Sequence, residues 1–585
     1  MNEAMKAIMA IPRSDTSRDD FPCWHYTLNG DYSVKSGYRL GISSDIGAST
    51  SNGGDMGFRW GKYGEWMLWY LRNHVVHGQK GPGLEFVVRW CLGYISDYRA
   101  ANLKSDSSFE RGTVPQFVRW KSSGIDMEKK SFNPHVLFIP NTLQGHITPM
   151  VQFGKRLVSK GIKVTLVTTV YLSKSIHVDP ECSIAIETIS DGFDDTGSQD
   201  AGSIEACFTS FRINGSRTLA KLIEKLADKG QPATAIVYDS LFPWVLDVAK
   251  QYGLFKAAFF NQTCAVNSIY YHVNRGLLKL PLTGSHISLP ELPLLLPSET
   301  PLILYVYGKD LTPSDLVELV SNQYSNIDEA DWLIFDIFYK MEEKIVDWMS
   351  KLWKVGTVGP TLPSMYLDKR LENDKDYSIN LFEPKTSTCM SWLNDKPIGS
   401  VVYVAFGSIA SPVPEQMEEL AWGLKGINCY FLWVMSDSMK TKLPNKFIEE
   451  ISDQGLVVSW CSQLEVLAHK SIGCFVTHCG LHSVMEAMSL GVPMVGMPLF
   501  VDQQTNGKFM EDVWRSGIRV LPDETGIVGR QVFQKSIKEI MEGEKGIEIK
   551  KNVMKWKELA KEAVDEGGSS DKNINEFVAK LLSCS

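Results

Sequence analysis

Two polar side chains of this sequence follow short apolar runs, a position that brings reactive groups to the edge of a parallel sheet. His146 lies in NTLQGHITP (141–149), just after PHVLFIP (134–140), and Asp239 ends the run ATAIVYD (233–239). An imidazole suits removal of a proton from a hydroxyl near neutral pH, because its pKa is close by. Both runs predict strands, so His146 is expected at the carboxyl end of the sheet, facing a cleft. Taken singly, such a His is more often structural and such an Asp is often a helix cap.

A longer stretch, residues 460–503, surrounds a glycine turn with aromatic, amide and carboxylate side chains. Its sequence is WCSQLEVLAHKSIGCFVTHCGLHSVMEAMSLGVPMVGMPLFVDQ. VTHC predicts a strand, and Gly480 opens the turn into a helix that begins near His482–Ser483. The free N–H groups and positive dipole end of that helix suit a diphosphate. Glu486 lies one turn further on the same face, where it can accept hydrogen bonds from sugar hydroxyls, and the Trp460 ring can stack on a base. Taken singly, a Trp at the end of a strand usually packs in the core, and a Glu on a helix usually lies on a solvent-exposed face.

Histidines and cysteines in this stretch raise the alternative of a zinc site. The candidates are His469, Cys474, His478, Cys479 and His482. They form no CxxC pair, and the adjacent His478 and Cys479 would point to opposite faces of a strand. We therefore expect no metal.

The elements that must position these residues alternate between β-rich runs and amphipathic segments from about residue 131 onward, which is typical of βαβ units. A polar, charged stretch from about 362 to 385 predicts a linker. The sequence thus predicts an α/β protein with two doubly wound, Rossmann-like domains, residues 127–375 and 376–585, facing a cleft. The predicted elements are a helix over 147–159, strands over 163–169 and 400–408, and a helix over 414–426.

Composition restricts the class of protein. The chain has 585 residues, 44% hydrophobic and 22% charged, with a net charge of -8 and no charged blocks. This favours a globular enzyme over a nucleic-acid-binding protein. Eleven scattered cysteines, together with an N-terminus lacking a signal-peptide pattern, favour reduced thiols in the cytoplasm. No membrane span is expected, and we expect a monomer.

Residues 460–503 resemble the signature box of plant family 1 UDP-glycosyltransferases, whose GT-B architecture pairs two Rossmann-like domains. The resemblance extends over about residues 131–585 and is closest to the group that forms glucose esters and thiohydroximate glucosides, some members of which act on terpenoid hydroxyls. It implies a UDP-sugar donor, a small-molecule acceptor and no further cofactor or metal. The implied donor-site residues are Trp460 for uracil, Gln463 for uracil or ribose, Glu486 for ribose, Ser408, His478, Ser483 and the Gly480–Leu481–His482 turn for the diphosphate, and Asp502 and Gln503 for the sugar. A glutamine at the last box position implies glucose.

The same resemblance implies the chemistry. His146 matches the family's catalytic segment, although Thr142 replaces a frequent proline, and Asp239 matches the carboxylate that hydrogen-bonds that histidine. His146 would remove the acceptor's proton while UDP departs, with inversion from α to β. The acceptor would be a hydroxyl, carboxylate or thiol of a small plant metabolite.

The signature departs from the family at three positions. The usual HCGWNS is HCGLHS here, so Leu481 and His482 replace a tryptophan and an asparagine that binds phosphate, and Phe500 replaces a tryptophan. Loss of one hydrogen bond to a charged group costs roughly 1.5–3 kcal/mol. A protonated His482 would compensate. The alternative is a catalytically impaired UDP-sugar-binding relative.

Residues 1–126 have a different character. WHYTLNGDYSVKSGYRL (24–40) and LEFVVRWCLGYISDYRAAN (84–102) resemble parts of plant retroelement polyproteins, and Met127 looks like a complete N-terminus for the glycosyltransferase. We interpret this extension as a gene-model fusion or a poorly ordered appendage. A nucleic-acid-binding function is the alternative.

Overall fold

Short segments rich in β-branched and aromatic residues assemble into two parallel sheets in the computed structural model. The structure describes residues 134–178, 182–308, 314–372, 374–377, 379–380, 386–407 and 412–584. The retroelement-like extension therefore lies outside the described residues. The strands are β1 (His135–Ile139), β2 (Lys163–Thr169), β3 (His177–Val178), β4 (Ala185–Ile189), β5 (Ala235–Asp239), β6 (Phe255–Phe260), β7 (Trp332–Phe335), β8 (Val355–Thr357), β9 (Ile379–Asn380), β10 (Val401–Ala405), β11 (Tyr430–Val434), β12 (Gly455–Val458), β13 (Ile472–Thr477), β14 (Met494–Gly496) and β15 (Gly517–Arg519).

Both sheets are doubly wound. The first has the order β4-β2-β1-β5-β6-β7-β8 and the second β12-β11-β10-β13-β14-β15, and all their pairings are parallel. The strand order reverses between β1 and β5 in the first sheet and between β10 and β13 in the second. Ligands of open α/β sheets bind at such switch points, outside the carboxyl ends of the strands. The predicted pair of Rossmann-like domains is confirmed.

Helices cover the sheets and bury their apolar strands, as parallel sheets require. The helices are α1 (Gln144–Ser159), α2 (Val170–Ser173), α3 (Ile204–Asp228), α4 (Pro243–Gln251), α5 (Cys264–Asn274), α6 (Leu302–Tyr305), α7 (Ser314–Asn322), α8 (Glu343–Met349), α9 (Thr386–Asn394), α10 (Pro414–Lys425), α11 (Asp437–Lys440), α12 (Phe447–Glu450), α13 (Gln463–Leu467), α14 (Leu481–Leu490), α15 (Gln503–Lys508), α16 (Arg530–Glu542), α17 (Glu544–Val564) and α18 (Ser569–Cys584). None of those in the described ranges is long and apolar enough to cross a membrane.

One helix boundary matters for the site. The sequence predicts α1 from residue 147, but the helix begins at Gln144, after Leu143 adopts an extended conformation. The backbone N–H of His146 donates to the Leu143 carbonyl oxygen at 2.9 Å. His146 therefore lies in the first turn of a helix, which fixes its position more firmly than a loop would.

The polar linker predicted over about 362–385 is anchored to the first domain by charged side chains. Asp368 accepts two hydrogen bonds from the Arg156 guanidinium, at 2.6 and 3.1 Å. Asp374 accepts one from the Lys155 ammonium at 2.6 Å. Charged hydrogen bonds of this kind restrain a segment whose polar composition alone suggests a flexible linker.

The last helix returns to the first sheet. On α18, the Phe577 ring lies 5.5 Å from that of Trp332 on β7 and 5.7 Å from that of Phe153 on α1, measured between centroids. The Asn573 side chain donates to the Thr357 carbonyl oxygen at 2.9 Å. Aromatic packing of this kind ties the chain's C-terminal segment to the opposite domain.

Candidate active site

A cavity of about 1080 Å³ lies at the switch points of the two sheets. Most of the residues predicted to form the site line it. They are His146, Trp460, Gln463, His478, Gly480, Leu481, His482, Ser483, Glu486, Asp502 and Gln503. Asp239 stands behind His146, away from the cavity, and Ser408 lies outside the described residues. The fold thus brings residues more than 350 positions apart in the sequence to one space.

His146 and Asp239 form a hydrogen-bonded pair at one end of the cavity. The imidazole Nδ1 lies 2.6 Å from Asp239 Oδ2, and the side chains are 21% and 1% exposed. Asp239 ends β5, and His146 opens the helix that follows the neighbouring strand β1. Since Nδ1 is engaged by the carboxylate, Nε2 is the ring nitrogen suited to accept a proton from a bound molecule.

Asn261 is a member of this group that the sequence reasoning missed. Its amide nitrogen donates to Asp239 Oδ2 at 2.9 Å and lies 3.2 Å from His146 Nδ1. Leu241 N–H donates to the other carboxylate oxygen of Asp239 at 3.1 Å. Asn261 directly follows β6, the neighbour of β5, and a polar residue at the end of the apolar run FKAAFF (255–260) was the available signal. Its bond holds the carboxylate in place behind the imidazole.

The electrostatic surroundings of His146 favour its protonated form. Burial opposes the charged imidazole, but Asp239 and then Asp502 outweigh burial and raise the pKa of His146. Burial in turn raises the pKa of Asp502. A more basic imidazole binds a proton more strongly, which suits a group that must remove one.

Asp502 and Gln503 occupy the start of α15, and hydrogen bonds hold both side chains. Asn506 donates to Asp502 Oδ2 at 2.6 Å and to the Cys479 carbonyl oxygen at 3.0 Å, joining α15 to the entry of α14. Gln503 Oε1 accepts from the backbone N–H groups of residues 499 and 500, both at 2.8 Å. Since its oxygen is occupied, Gln503 would contact a ligand in this conformation as a donor, through its amide nitrogen.

The opposite end of the cavity contains the start of α14. Gly480 is the N-cap residue of this helix and, having no side chain, provides no capping hydrogen bond. The first turn carries no acidic residue. Helical N–H groups at such an end lack intrahelical partners. The residues of this turn, Gly480 to Ser483, line the cavity, so the end is suited to an anion.

His478 packs tightly between two glycines at this end. A Cβ atom on Gly480 would lie 2.6 Å from His478 Nε2, and one on Gly407 would lie 2.8 Å away. Burial lowers the pKa of His478 to about 4, so its imidazole is neutral at neutral pH. Its buried Nδ1 has no hydrogen-bond partner among the residues that the structure describes. A buried polar atom without a partner is suited to a ligand.

Glu486 is the centre of a hydrogen-bond group on α14. Its carboxylate is 2% exposed and accepts from the amide of Gln463, which also donates to Ser483 Oγ at 2.9 Å. Tyr377, from the linker, donates to Glu486 Oε1 at 2.5 Å.

The two residues that replace Trp and Asn of HCGWNS differ in their surroundings. Leu481 is buried, whereas His482 contacts the linker through Tyr377 at 3.0 Å.

Trp460 lies two residues beyond the end of β12 and is half-buried in the cavity wall.

The structure also bears on the zinc alternative. Across the described ranges, no group of three or more His, Cys, Asp or Glu side chains is arranged to hold a metal ion.

Comparison with known proteins adds an independent observation. A family profile described as UDP-glucoronosyl and UDP-glucosyl transferase matches residues 321–565. Mogroside I-E synthase from Siraitia grosvenorii is 49% identical over 451 residues, which cover 76% of this chain and 98% of that protein. Flavonol 7-O-beta-glucosyltransferase UGT74F1 from Arabidopsis thaliana is 46% identical over 452 residues, again covering 76% and 98%.

Solved structures share the fold. Os79 from O. sativa in complex with UDP is 38% identical with a TM-score of 0.72, covering 76% of this chain and 100% of that one. The UDP-glucose: anthocyanidin 3-O-glucosyltransferase in complex with UDP is 28% identical with a TM-score of 0.66, covering 77% and 99%. The GT-B architecture expected from the sequence is confirmed.

Proposed function

Because the chain belongs to the UDP-glucoronosyl and UDP-glucosyl transferase family and is a UDP-glycosyltransferase, we propose that it transfers glucose from UDP-glucose to a small plant metabolite with inversion. The observation that carries this proposal is the arrangement of the cavity. An imidazole paired with a buried carboxylate stands at one end, and an uncapped helix start stands at the other. The first suits deprotonation of an acceptor and the second suits a departing diphosphate.

The reaction we propose is a single displacement. His146 Nε2 takes the proton of the acceptor hydroxyl, whose oxygen attacks the anomeric carbon while the bond to the diphosphate oxygen breaks. Asp239 keeps Nδ1 protonated and stabilises the imidazolium that forms. UDP leaves with the electron pair toward the start of α14, and the α-linked sugar becomes β-linked. The transition state resembles an oxocarbenium ion, so stabilisation of the leaving diphosphate contributes strongly.

Within the donor site, we assign uracil stacking to Trp460 and the ribose to Glu486 with Gln463. The helix start and His478, whose buried Nδ1 has no hydrogen-bond partner among the described residues, support a diphosphate at this end. Asp502 and the amide nitrogen of Gln503 would contact the sugar hydroxyls. The resemblance of Gln503 to the family's last box position supports glucose over galactose.

The charges near His146 favour a neutral hydroxyl as the acceptor group over a carboxylate. Asp239 and Asp502 both act on the imidazole, so an acceptor carboxylate would approach two carboxylates of its own sign. A carboxylate is also already ionised at neutral pH and gains nothing from a general base, whereas an alcohol or phenol gains about 10²- to 10⁴-fold. One relative named above, flavonol 7-O-beta-glucosyltransferase UGT74F1, is named for transfer to an oxygen, which supports a hydroxyl acceptor here.

The test is incubation of the full chain with UDP-glucose and matched acceptors. One aromatic ring carrying a hydroxyl, a carboxylate or a thiol is compared with a terpenoid alcohol, following UDP release and product mass. We expect transfer to hydroxyls that is lost in His146→Ala and kept in His286→Ala, an exposed histidine outside the cavity. Transfer that does not depend on His146 would contradict the mechanism.

A second candidate is a UDP-sugar-binding relative with impaired turnover. It is favoured by Leu481 and His482, which line the cavity where the family has tryptophan and asparagine. In the same assay, this candidate predicts UDP-glucose binding without product for any acceptor.

A further inference from the structure

His482 belongs to a buried polar group assembled from three distant segments, which we call the His482 cluster and define as Asp336, Tyr377, His482 and Glu486. The imidazole Nε2 lies 3.0 Å from the Tyr377 hydroxyl and 3.7 Å from Glu486 Oε1. The other nitrogen, Nδ1, lies 3.9 Å from Asp336 Oδ2. The two carboxylate side chains are only 2–3% exposed, so solvent screens their charges little.

The hydrogen bonds within this cluster favour a charged imidazole. Tyr377 donates its proton to Glu486 Oε1, so its oxygen must accept from His482 Nε2–H. Burial and then Glu486 raise the pKa of Tyr377, which keeps that hydroxyl protonated. Nδ1 then faces the Asp336 carboxylate. A lone pair there would be unpaired and repelled, whereas an N–H in the imidazolium is attracted.

A hydrogen bond fixes the position of the Asp336 side chain. It follows β7 of the first sheet, and its Oδ1 accepts from the Thr361 hydroxyl at 2.7 Å, leaving Oδ2 toward His482. Burial opposes the charged imidazole, but Asp336 and Glu486 outweigh burial and raise the pKa of His482. The cluster therefore favours a protonated imidazole at the second residue of α14, at the helix start.

We propose that His482 is a positioning residue that couples donor binding to protonation, so that UDP-glucose binds best when this imidazole carries a positive charge. This inference rests on the proposed function, which puts the donor diphosphate at the start of α14. The diphosphate of UDP-glucose is a diester and takes up no proton near neutral pH, so any pH dependence of its binding arises from the protein. An asparagine at this position would give no such dependence.

Other titratable groups around the cluster come from each segment packed near it. Among the described residues that line the cavity beside the cluster, they are Tyr366, Lys375 and Asp376 of the linker, Glu465 on α13 and His478 after β13. Lys375 and Asp376 are exposed and opposite in sign. The His478 imidazole, with a pKa of about 4, stays neutral over the range of interest. His482 is therefore the group in the cluster expected to lose a proton as the pH rises.

The direction of the effect follows from linkage. Affinity for UDP-glucose should be full at pH values below the pKa of the unliganded imidazole and fall about tenfold per pH unit above it. At those higher pH values, binding should take up one proton.

The experiment is calorimetric titration of the full chain with UDP-glucose, without acceptor, between about pH 6 and pH 9. Each pH is measured in two buffers of different ionisation enthalpy. The difference between the two binding heats gives the number of protons taken up, so this count needs no variant. We expect proton uptake and falling affinity for the natural chain, and a flat profile for His482→Asn. Asp336→Asn keeps the imidazole but removes a neighbouring charge, so its affinity should begin to fall at lower pH.

His146→Ala controls for the other basic imidazole of the cavity and should keep the pH dependence of donor binding. A flat profile with tight binding in the natural chain, or an unchanged pH dependence in His482→Asn, would overturn the inference and leave the proposed function standing. Absence of UDP-glucose binding at every pH would instead overturn the proposed function.

Discussion

The two ends of the cavity each contain a basic histidine, but the imidazoles are arranged for opposite tasks. At the first-sheet end, His146 is 21% exposed, and one carboxylate holds its Nδ1 so that Nε2 is open to a ligand. At the second-sheet end, His482 is engaged on both sides, by Tyr377 and by Asp336. The first imidazole can exchange a proton with a bound molecule. The second is held between neighbours that favour its protonated form.

A third histidine shows what makes the difference. His478 lies at the same end as His482 but has no carboxylate neighbour among the described residues that shifts its pKa, and burial alone lowers that pKa to about 4. The same residue type thus takes three roles within one cavity. Neighbouring carboxylates, not burial, decide whether a cavity histidine is charged.

Removing the first imidazole should produce the largest effect. His146→Ala is expected to reduce kcat/KM by about 10²- to 10⁴-fold, because the acceptor loses its general base. UDP-glucose affinity should change little, since the diphosphate is assigned to the other end. Steady-state kinetics paired with calorimetry separates the two quantities, and an equal loss of donor affinity would argue that the ends are not independent.

Removing the carboxylate behind that imidazole should reduce the rate by about 10²-fold or more, because Asp239→Asn no longer stabilises the imidazolium. Only neutral His146 accepts a proton, so kcat/KM of the natural enzyme should rise as the pH rises through its raised pKa. Without Asp239 that pKa falls, and the acid limb of the pH–rate profile should move to lower pH. A limb that stays in place would mean that another group titrates.

At the donor end, Glu486→Gln should weaken UDP-glucose binding by roughly 1.5–3 kcal/mol, the value of a hydrogen bond to a charged group. The substitution also removes one of the two carboxylates beside His482, so the fall of donor affinity with pH should begin at lower pH. Calorimetric titration over a pH series measures both. Unchanged affinity would remove Glu486 from the donor site.

The tight packing around the third histidine can be tested through stability. Gly480→Ala places a methyl group 2.6 Å from His478 Nε2 and should destabilise the fold by about 1–3 kcal/mol, without backbone strain, since Gly480 has φ of -61°. Gly145→Ala in α1 is the matched control. Its Cβ meets nothing within 4 Å, so stability should rise by up to about 1 kcal/mol. Urea unfolding of both variants makes the comparison, and equal stabilities would contradict it.

The strands and their carboxyl-end residues could be predicted because alternation of β-rich and amphipathic segments is a local signal. The run 163–169 matches β2 to the residue, and His146 and Asp239 follow neighbouring strands, so strand order brings them together. The start of α1 was predicted three residues late, since no Ser, Thr, Asp or Asn cap stands before Gln144.

The His482 cluster could not be predicted. Asp336, Tyr377 and His482 are each separated by more than 40 positions, and their contact depends on how the linker packs against both domains. The linker itself is polar and charged, which suggests a solvated segment, yet its acidic side chains pair with Arg156 and Lys155 of α1. Long-range pairing of this kind leaves no periodic pattern in a single sequence.

The most direct test of the account is a crystal structure of the full-length His146→Ala variant with UDP-glucose bound. We expect the diphosphate oxygens to contact the N–H groups at the start of α14, next to His482, and the anomeric carbon to face position 146 across the cavity. A diphosphate bound away from α14, or an anomeric carbon turned away from position 146, would overturn the proposed mechanism.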